Sequence, residues 1–165
     1  MKIVTIIGLS GSGKTTVAEA LIPALRARGY RVGSVKSIHA SGFEMDTPGK
    51  NTHRHAQAGA SVVTALADNQ TAVIFREQLP LERVLEIYRE QGLDYAVLEG
   101  VRGRGYPAIL TGRDEQQLCE RYEDTVFLVS GVVAEQCKQW RGLPVLNALY
   151  GGEAIADMVE QACKI

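Results

Sequence analysis

Eight residues near the start of the chain, Gly8-Leu9-Ser10-Gly11-Ser12-Gly13-Lys14-Thr15, follow the pattern glycine, four residues, then Gly-Lys-Ser/Thr. That spacing is the signature of a loop that wraps a polyphosphate. Gly8, Gly11 and Gly13 carry no Cβ and accept positive φ, so the backbone can close on an anion with successive N–H groups turned inward. Lys14 is then expected beside the β- and γ-phosphates, and the Thr15 hydroxyl at a Mg²⁺ position. The flanks fit the motif. Ile3-Val4-Thr5-Ile6-Ile7 is a β-branched apolar run of the kind found in buried parallel strands. Val17, Ala20, Leu21, Ala24 and Leu25 recur at helical spacing after the loop. A glycine-rich turn that binds nothing would match the four constrained positions in roughly 1 per cent of chains this size.

At 165 residues the chain is expected to form a single domain spanning residues 1–165. Its 18 basic and 19 acidic residues are interspersed, with no basic tract for nucleic acid or an anionic membrane. No apolar run reaches the length of a membrane span. Met1-Lys2-Ile3 enters the first strand directly, which leaves no room for a signal peptide and points to the cytoplasm. Cys119, Cys137 and Cys163 are widely spaced and fit reduced thiols better than a disulfide framework or a zinc site.

The remaining periodicities alternate. A helix over 14–28 stops at Gly29, and a second strand runs over 30–36. Residues 37–51 form a long polar loop, followed by a short helix over 52–58. Strands over 61–66 and 71–76, joined through Asp68-Asn69, read as an antiparallel hairpin inserted between the helices. A helix from Leu81 to Gly92, a buried strand over 94–98, strands over 106–110 and 125–129, a helix over 114–121, a last strand over 143–146 and a C-terminal helix complete the chain. Strands alternating with helices predict a three-layer α/β fold with a mainly parallel sheet.

Ligands in such sheets bind at the carboxyl ends of the strands. Glu99 follows an apolar strand, where a carboxylate is unfavourable without a partner; Mg²⁺ or its water shell would be one. Asp46, in the polar loop, is a second metal candidate beside the alternative of a solvated loop acid. Lys36 closes strand two and can bind an anion or simply extend to solvent. Arg102 and Arg104 sit in a glycine-flanked loop expected to be mobile until something binds, and they can clamp phosphate or a partner's acidic groups. With Lys14 they are the catalytic candidates. Asn147, at the end of the last strand, is the candidate for contact with a base. His53 and His55 are two apart and do not share a helix face, which disfavours a histidine metal site.

Taken in order, the series Gly8 to Thr16, Lys36 with His39, Phe43-Glu44-Met45-Asp46-Thr47-Pro48-Gly49-Lys50-Asn51, Arg54-His55-Ala56-Gln57-Ala58-Gly59-Ala60 and Asp94-Tyr95-Ala96-Val97-Leu98-Glu99-Gly100 resembles the molybdopterin-guanine dinucleotide biosynthesis protein B (MobB) family. The motifs cover roughly the first two-thirds of the chain. Ser37 stands where many members have histidine, Asn51 where many have aspartate, and Val101-Arg102 where Phe-Lys is usual. The resemblance implies a P-loop NTPase fold and a homodimeric GTP-binding protein with slow hydrolysis. It also implies that the protein assists a MobA-type guanylyltransferase acting on molybdopterin. The similarity extends to dethiobiotin synthetase, which implies Mg²⁺ ligation by Thr15, Asp46 and Glu99. On this reading residues 8–16, namely Gly8, Leu9, Ser10, Gly11, Ser12, Gly13, Lys14, Thr15 and Thr16, hold the GTP together with Lys36. A small-molecule kinase or ligase of the dethiobiotin-synthetase type is the alternative, as is a GTPase that delivers a metal.

Overall fold

Strand β1 (Lys2–Gly8) lies at the centre of a parallel sheet because every interior residue from Val4 to Ile7 is buried. The computed structural model describes residues 1–164. After β1 come α1 (Lys14–Ala27), β2 (Val32–Lys36), α2 (Asn51–Gln57), the hairpin strands β3 (Val62–Ala67) and β4 (Gln70–Phe75), and α3 (Leu81–Glu90). Strands β5 (Tyr95–Glu99) and β6 (Ala108–Thr111), helix α4 (Glu115–Arg121) and β7 (Val126–Ser130) follow. A 3-10 turn (Val132–Glu135), the two-residue strands β8 (Gln139–Trp140) and β9 (Leu143–Pro144) and helix α5 (Gly152–Ala162) complete the described residues. Contacts group the chain into two units: Met1–Ser37 with the chain from Tyr88 onward, and Ile38–Ile87.

In the first unit the five main strands run in the order β2-β5-β1-β6-β7, every pair parallel. Alternation along the strands gives the sheet two apolar faces. Val4, Ile6, Val97, Ile109 and Leu128 pack with α1 and α5 in one core, around Leu21, Leu25 and Ile155. Ile7, Leu110 and Val129 point the other way, onto Leu118 of α4 and Val133 of the 3-10 turn. The α/β, mainly parallel architecture read from the sequence is therefore present, with helices on both faces. The register also matters for chemistry. Lys36 pairs with Glu99, Gly8 with Thr111, and Thr111 with Ser130, so five strand ends meet along one edge.

The local signals explain the helices. Helix α1 starts behind Gly13, whose φ of 101° turns the chain, and ends at Arg28 and Gly29. Pro23 lies within it on an exposed position, where the carbonyl its missing N–H would have served can meet water. Asp114 caps α4 by accepting a bond from the Gln117 N–H at 2.9 Å. The end of the chain departs from expectation. The strand expected over 143–146 is only Leu143–Pro144, paired antiparallel with β8, and Val145 forms a single parallel bridge to Val129. Pro144 has no N–H to extend a ladder, which limits the strand to this stub.

In the second unit β3 and β4 form the expected antiparallel hairpin as a separate two-stranded sheet, turning through Asp68-Asn69. Val63 is buried on one face. The other face shows Val62, Leu66, Val73 and Phe75 to solvent, with Leu66 82% exposed. The polar loop before α2 is held by Glu44, which lies 3.7 Å from His53 and 3.6 Å from Arg76.

The phosphate loop is fastened to the first unit from below. Gly131, at φ 89°, lies so close that a Cβ there would run into the Ser12 carbonyl oxygen. That carbonyl also accepts the Val132 N–H at 3.4 Å. Gly131→Ala combines a collision with backbone and a left-handed conformation, so we expect a loss of about 1–3 kcal/mol in stability, read from urea denaturation. An unchanged midpoint would mean that the contact carries no weight.

Candidate phosphate-binding site

The loop between β1 and α1 takes its shape from three positive-φ glycines, Gly8 at 149°, Gly11 at 69° and Gly13 at 101°. Ser12, fully buried, holds its floor. Its hydroxyl lies 2.8 Å from the Leu9 carbonyl and 2.7 Å from the Thr111 hydroxyl, which in turn lies 3.0 Å from the Ile7 carbonyl. The two hydroxyls thus share two protons among three contacts, of which the two made by Thr111 are fully buried. The first N–H groups of α1, at Lys14, Thr15 and Thr16, have no partner within the helix and carry its positive end. Loop and helix start together form a concave set of donors suited to phosphate oxygens.

Lys14 folds back over this loop and donates to the carbonyls of Gly8 (3.1 Å) and Leu9 (2.7 Å). Burial is the main reason its pKa lies below the usual lysine value; Glu99 opposes the shift and Lys36 adds to it. A polyphosphate beside the ammonium would favour its charged form. At the far side of the loop Arg113 donates from Nε to the Gly11 carbonyl at 3.0 Å. Sequence reasoning passed over Arg113, Thr111 and Gly131. Only Thr111, a hydroxyl ending the apolar run Ala108-Ile109-Leu110, left a signal that pattern reading could have used.

The carboxyl edge of the sheet brings Thr15, Lys36 and Glu99 together. The Thr15 hydroxyl donates to Glu99 Oε1 at 2.9 Å, and Lys36 Nζ reaches the same oxygen at 2.7 Å. Lys36 Nζ is also 3.3 Å from Thr15 Oγ1. Glu99 is only 9% exposed, so its charge is met by an ammonium and a hydroxyl rather than by bulk water. The parallel register of β2 and β5 produces the pairing, since Lys36 and Glu99 are direct neighbours. A hard cation prefers oxygen donors of this kind, and a positive group already lies between the two.

Asp46 belongs to the second unit, where its Oδ1 accepts from the Thr47 N–H (2.8 Å) and the Thr52 hydroxyl (3.1 Å). Arg102, after β5, donates from Nε to Glu123 Oε1 at 2.9 Å, and the Gly103 N–H reaches the other carboxylate oxygen at 3.3 Å. The loop expected to be mobile is thus fastened at Arg102 and Gly103; Arg104 follows on the same loop. Among the described residues no group of three or more His, Cys, Asp or Glu side chains is arranged to hold a metal ion. Leu9 and Ser10 form the rim of the loop, with Ser10 exposed. Gly13 and Thr16 also line a neighbouring pocket shared with Val132, Glu135, Asn147 and Leu149.

Comparison with known proteins identifies the family. The family profile described as "Molybdopterin guanine dinucleotide synthesis protein B", MobB, matches residues 3–134. A probable molybdopterin-guanine dinucleotide biosynthesis adapter protein of Bacillus subtilis is 28% identical over 148 residues, covering 88% of this chain and 85% of that protein. The corresponding adapter protein of Haemophilus influenzae is 36% identical over 112 residues, 67% of this chain and 62% of its own. Among solved structures, Bacillus subtilis MobB superimposes with a TM-score of 0.81 at 25% identity, covering 99% of both chains. A MobB homologue from Bacillus stearothermophilus gives 0.72 at 23% identity over 98% of both, a likeness of fold. With a phosphate loop, a strand-end glutamate and a family profile that spans most of its length, this chain belongs to the MobB family.

Proposed function

We propose that this protein is a GTP-binding adapter in molybdopterin guanine dinucleotide synthesis, with slow GTP hydrolysis assisted by Mg²⁺. The observation that carries the reading is the convergence of the Thr15 hydroxyl and the Glu99 carboxylate at 2.9 Å beside the glycine loop and Lys14. Residues 8–16 hold the phosphates through backbone N–H groups, and Lys14 leaves its two loop carbonyls to meet them. Thr15 and Glu99 would supply oxygens to the ion, and Lys36, now in contact with both, would become an anion contact. Mg²⁺ would neutralise the phosphates and orient them.

Turnover by the protein alone is slow on this reading. Phosphoryl transfer gains most from a positive charge placed on the developing oxyanions. Arg102 and Arg104 are the residues we assign to that task, and Glu123 keeps the first of them occupied. A MobA-type guanylyltransferase or molybdopterin would release it by offering other acidic or phosphate groups. The relatives' names as adapter proteins support a partner of this type. We place the protein in the cytoplasm as a homodimer. The exposed apolar face of the hairpin, Val62, Leu66, Val73 and Phe75, is the surface that a second copy would cover.

Titration calorimetry tests the nucleotide site. Lys14→Ala is expected to weaken GTP binding at least roughly tenfold while circular dichroism stays unchanged, since among the described residues Lys14 bonds only to loop carbonyls. Glu99→Gln should raise the Mg²⁺ concentration needed for tight binding and leave Mg²⁺-free binding far less affected. Wild-type affinity in the lysine variant would reject the phosphate site; an unaltered Mg²⁺ requirement would remove Glu99 from the metal.

Light scattering tests the dimer. The wild type should run at twice the chain mass, and the double substitution Leu66→Lys with Val73→Lys at the mass of one chain. A variant that stays dimeric would move the interface away from the hairpin.

A further inference from the structure

A pocket opens directly beside the phosphate loop, lined by polar as well as apolar groups. Gly13 and Thr16 form its inner side, so anything lodged there adjoins a phosphate chain held by the loop. Val132 and Glu135 come from the 3-10 turn after β7, where residues three apart eclipse one another and so share a face. That turn is tied to the phosphate loop by the Val132 N–H on the Ser12 carbonyl, and anchored below by buried Val133 and Ala134. Asn147 and Leu149 complete the lining. Leu149 is 62% exposed and Val132 42%, two apolar surfaces suited to cover the faces of a flat ring.

The polar edges are asymmetric. The Leu149 N–H donates to Asn147 Oδ1 at 3.0 Å, which fixes the amide and turns its NH₂ away from that bond as a donor. Glu135 carries no hydrogen bond or ion pair on its carboxylate among the described residues. It is the one ionised group in the pocket lining. The pocket thus pairs a free acceptor with two lone-pair oxygens and a free amide donor.

Building on the nucleotide-binding reading above, we infer that Glu135 is the specificity residue that selects guanine. Guanine presents two adjacent donors on one edge, N1–H and the 2-amino group, and a carboxylate can accept both at once. On the neighbouring edge O6 and N7 are acceptors, which suit the amide NH₂ of Asn147. Adenine reverses both relations. Its N1 is an acceptor facing the carboxylate, and its 6-amino group is a donor facing the amide. The discrimination therefore includes repulsion of the wrong base as well as attraction of the right one. Hypoxanthine, which keeps N1–H and lacks the 2-amino group, falls between. No Asn-Lys-x-Asp motif is needed, because the carboxylate arrives from the turn after β7 and the amide from a separate segment.

The test measures binding of GDP, IDP and ADP with Mg²⁺ to the wild type, Glu135→Ala and Glu135→Gln. Both variants change an exposed side chain with no bonds to the described residues, and a thermal melt checks that they remain folded. The wild type should prefer GDP to IDP by roughly tenfold and to ADP by more. In Glu135→Ala the GDP affinity should fall roughly 10- to 100-fold, so that the three affinities converge. Glu135→Gln, with one acceptor oxygen in place of two, should shrink the GDP-over-IDP preference. Unchanged ratios in both variants, with tight binding retained, would overturn the assignment of Glu135 and leave the phosphate site standing. Failure of the wild type to bind any of the three would overturn the phosphate site, and this inference with it.

Discussion

The hydroxyl-to-hydroxyl contact between Ser12 and Thr111, 2.7 Å long and wholly buried, is the constraint on which the rest of this molecule depends. A glycine-rich loop has no shape of its own, because its residues lose the most conformational freedom on folding. Here the loop is given one by a polar pair inside the sheet. The pair exists because Gly8 lies opposite Thr111 in the parallel register, and because Gly131 lets the backbone after β7 come up against Ser12. Neutral hydrogen bonds contribute little net stability each, but leaving either hydroxyl unpaired at this depth would cost about 1–3 kcal/mol. The loop is held in place more by that penalty than by attraction.

Around this anchor the sheet edge sorts its charges. Parallel pairing puts Lys36 next to Glu99 and brings Thr15, one residue into the helix, against the same carboxylate oxygen. Arg113 reaches the opposite side of the loop, and Lys14 lies across it. These three positive groups come from separate stretches of chain, which explains how a protein of net charge −1 gathers positive charge around one loop.

Much of this was legible in the sequence. The loop pattern, the apolar runs and the glycine stops located β1, α1, the hairpin and β5, because each is decided by neighbours a few residues apart. The resemblance to dethiobiotin synthetase groups Thr15 with Glu99, and the two side chains are hydrogen-bonded. What escaped was long-range. Ser12 and Thr111 are 99 positions apart, and Arg113 and Gly11 are 102 apart, so no local periodicity links them. The apolar Leu143, Val145 and Leu146 predict a longer last strand than forms, because Pro144 cuts its ladder short. The glycines around Arg102 predict a mobile loop because its anchor, Glu123, lies 21 residues on, past an entire helix.

The place of Lys36 has a consequence for how this edge of the molecule can be loaded. Its ammonium is tethered, so it competes for Glu99 and Thr15 at a fixed effective concentration however dilute the solution. On the reading proposed above, a divalent ion arriving alone would have to evict that resident charge and leave it without a partner. An ion arriving with an anion would meet a different balance, because the anion would give the displaced ammonium somewhere to go. The two ligands would then be thermodynamically linked, each tightening the hold on the other by the same factor. The salt contact would thus serve as an interlock, disfavouring the cation without its companion.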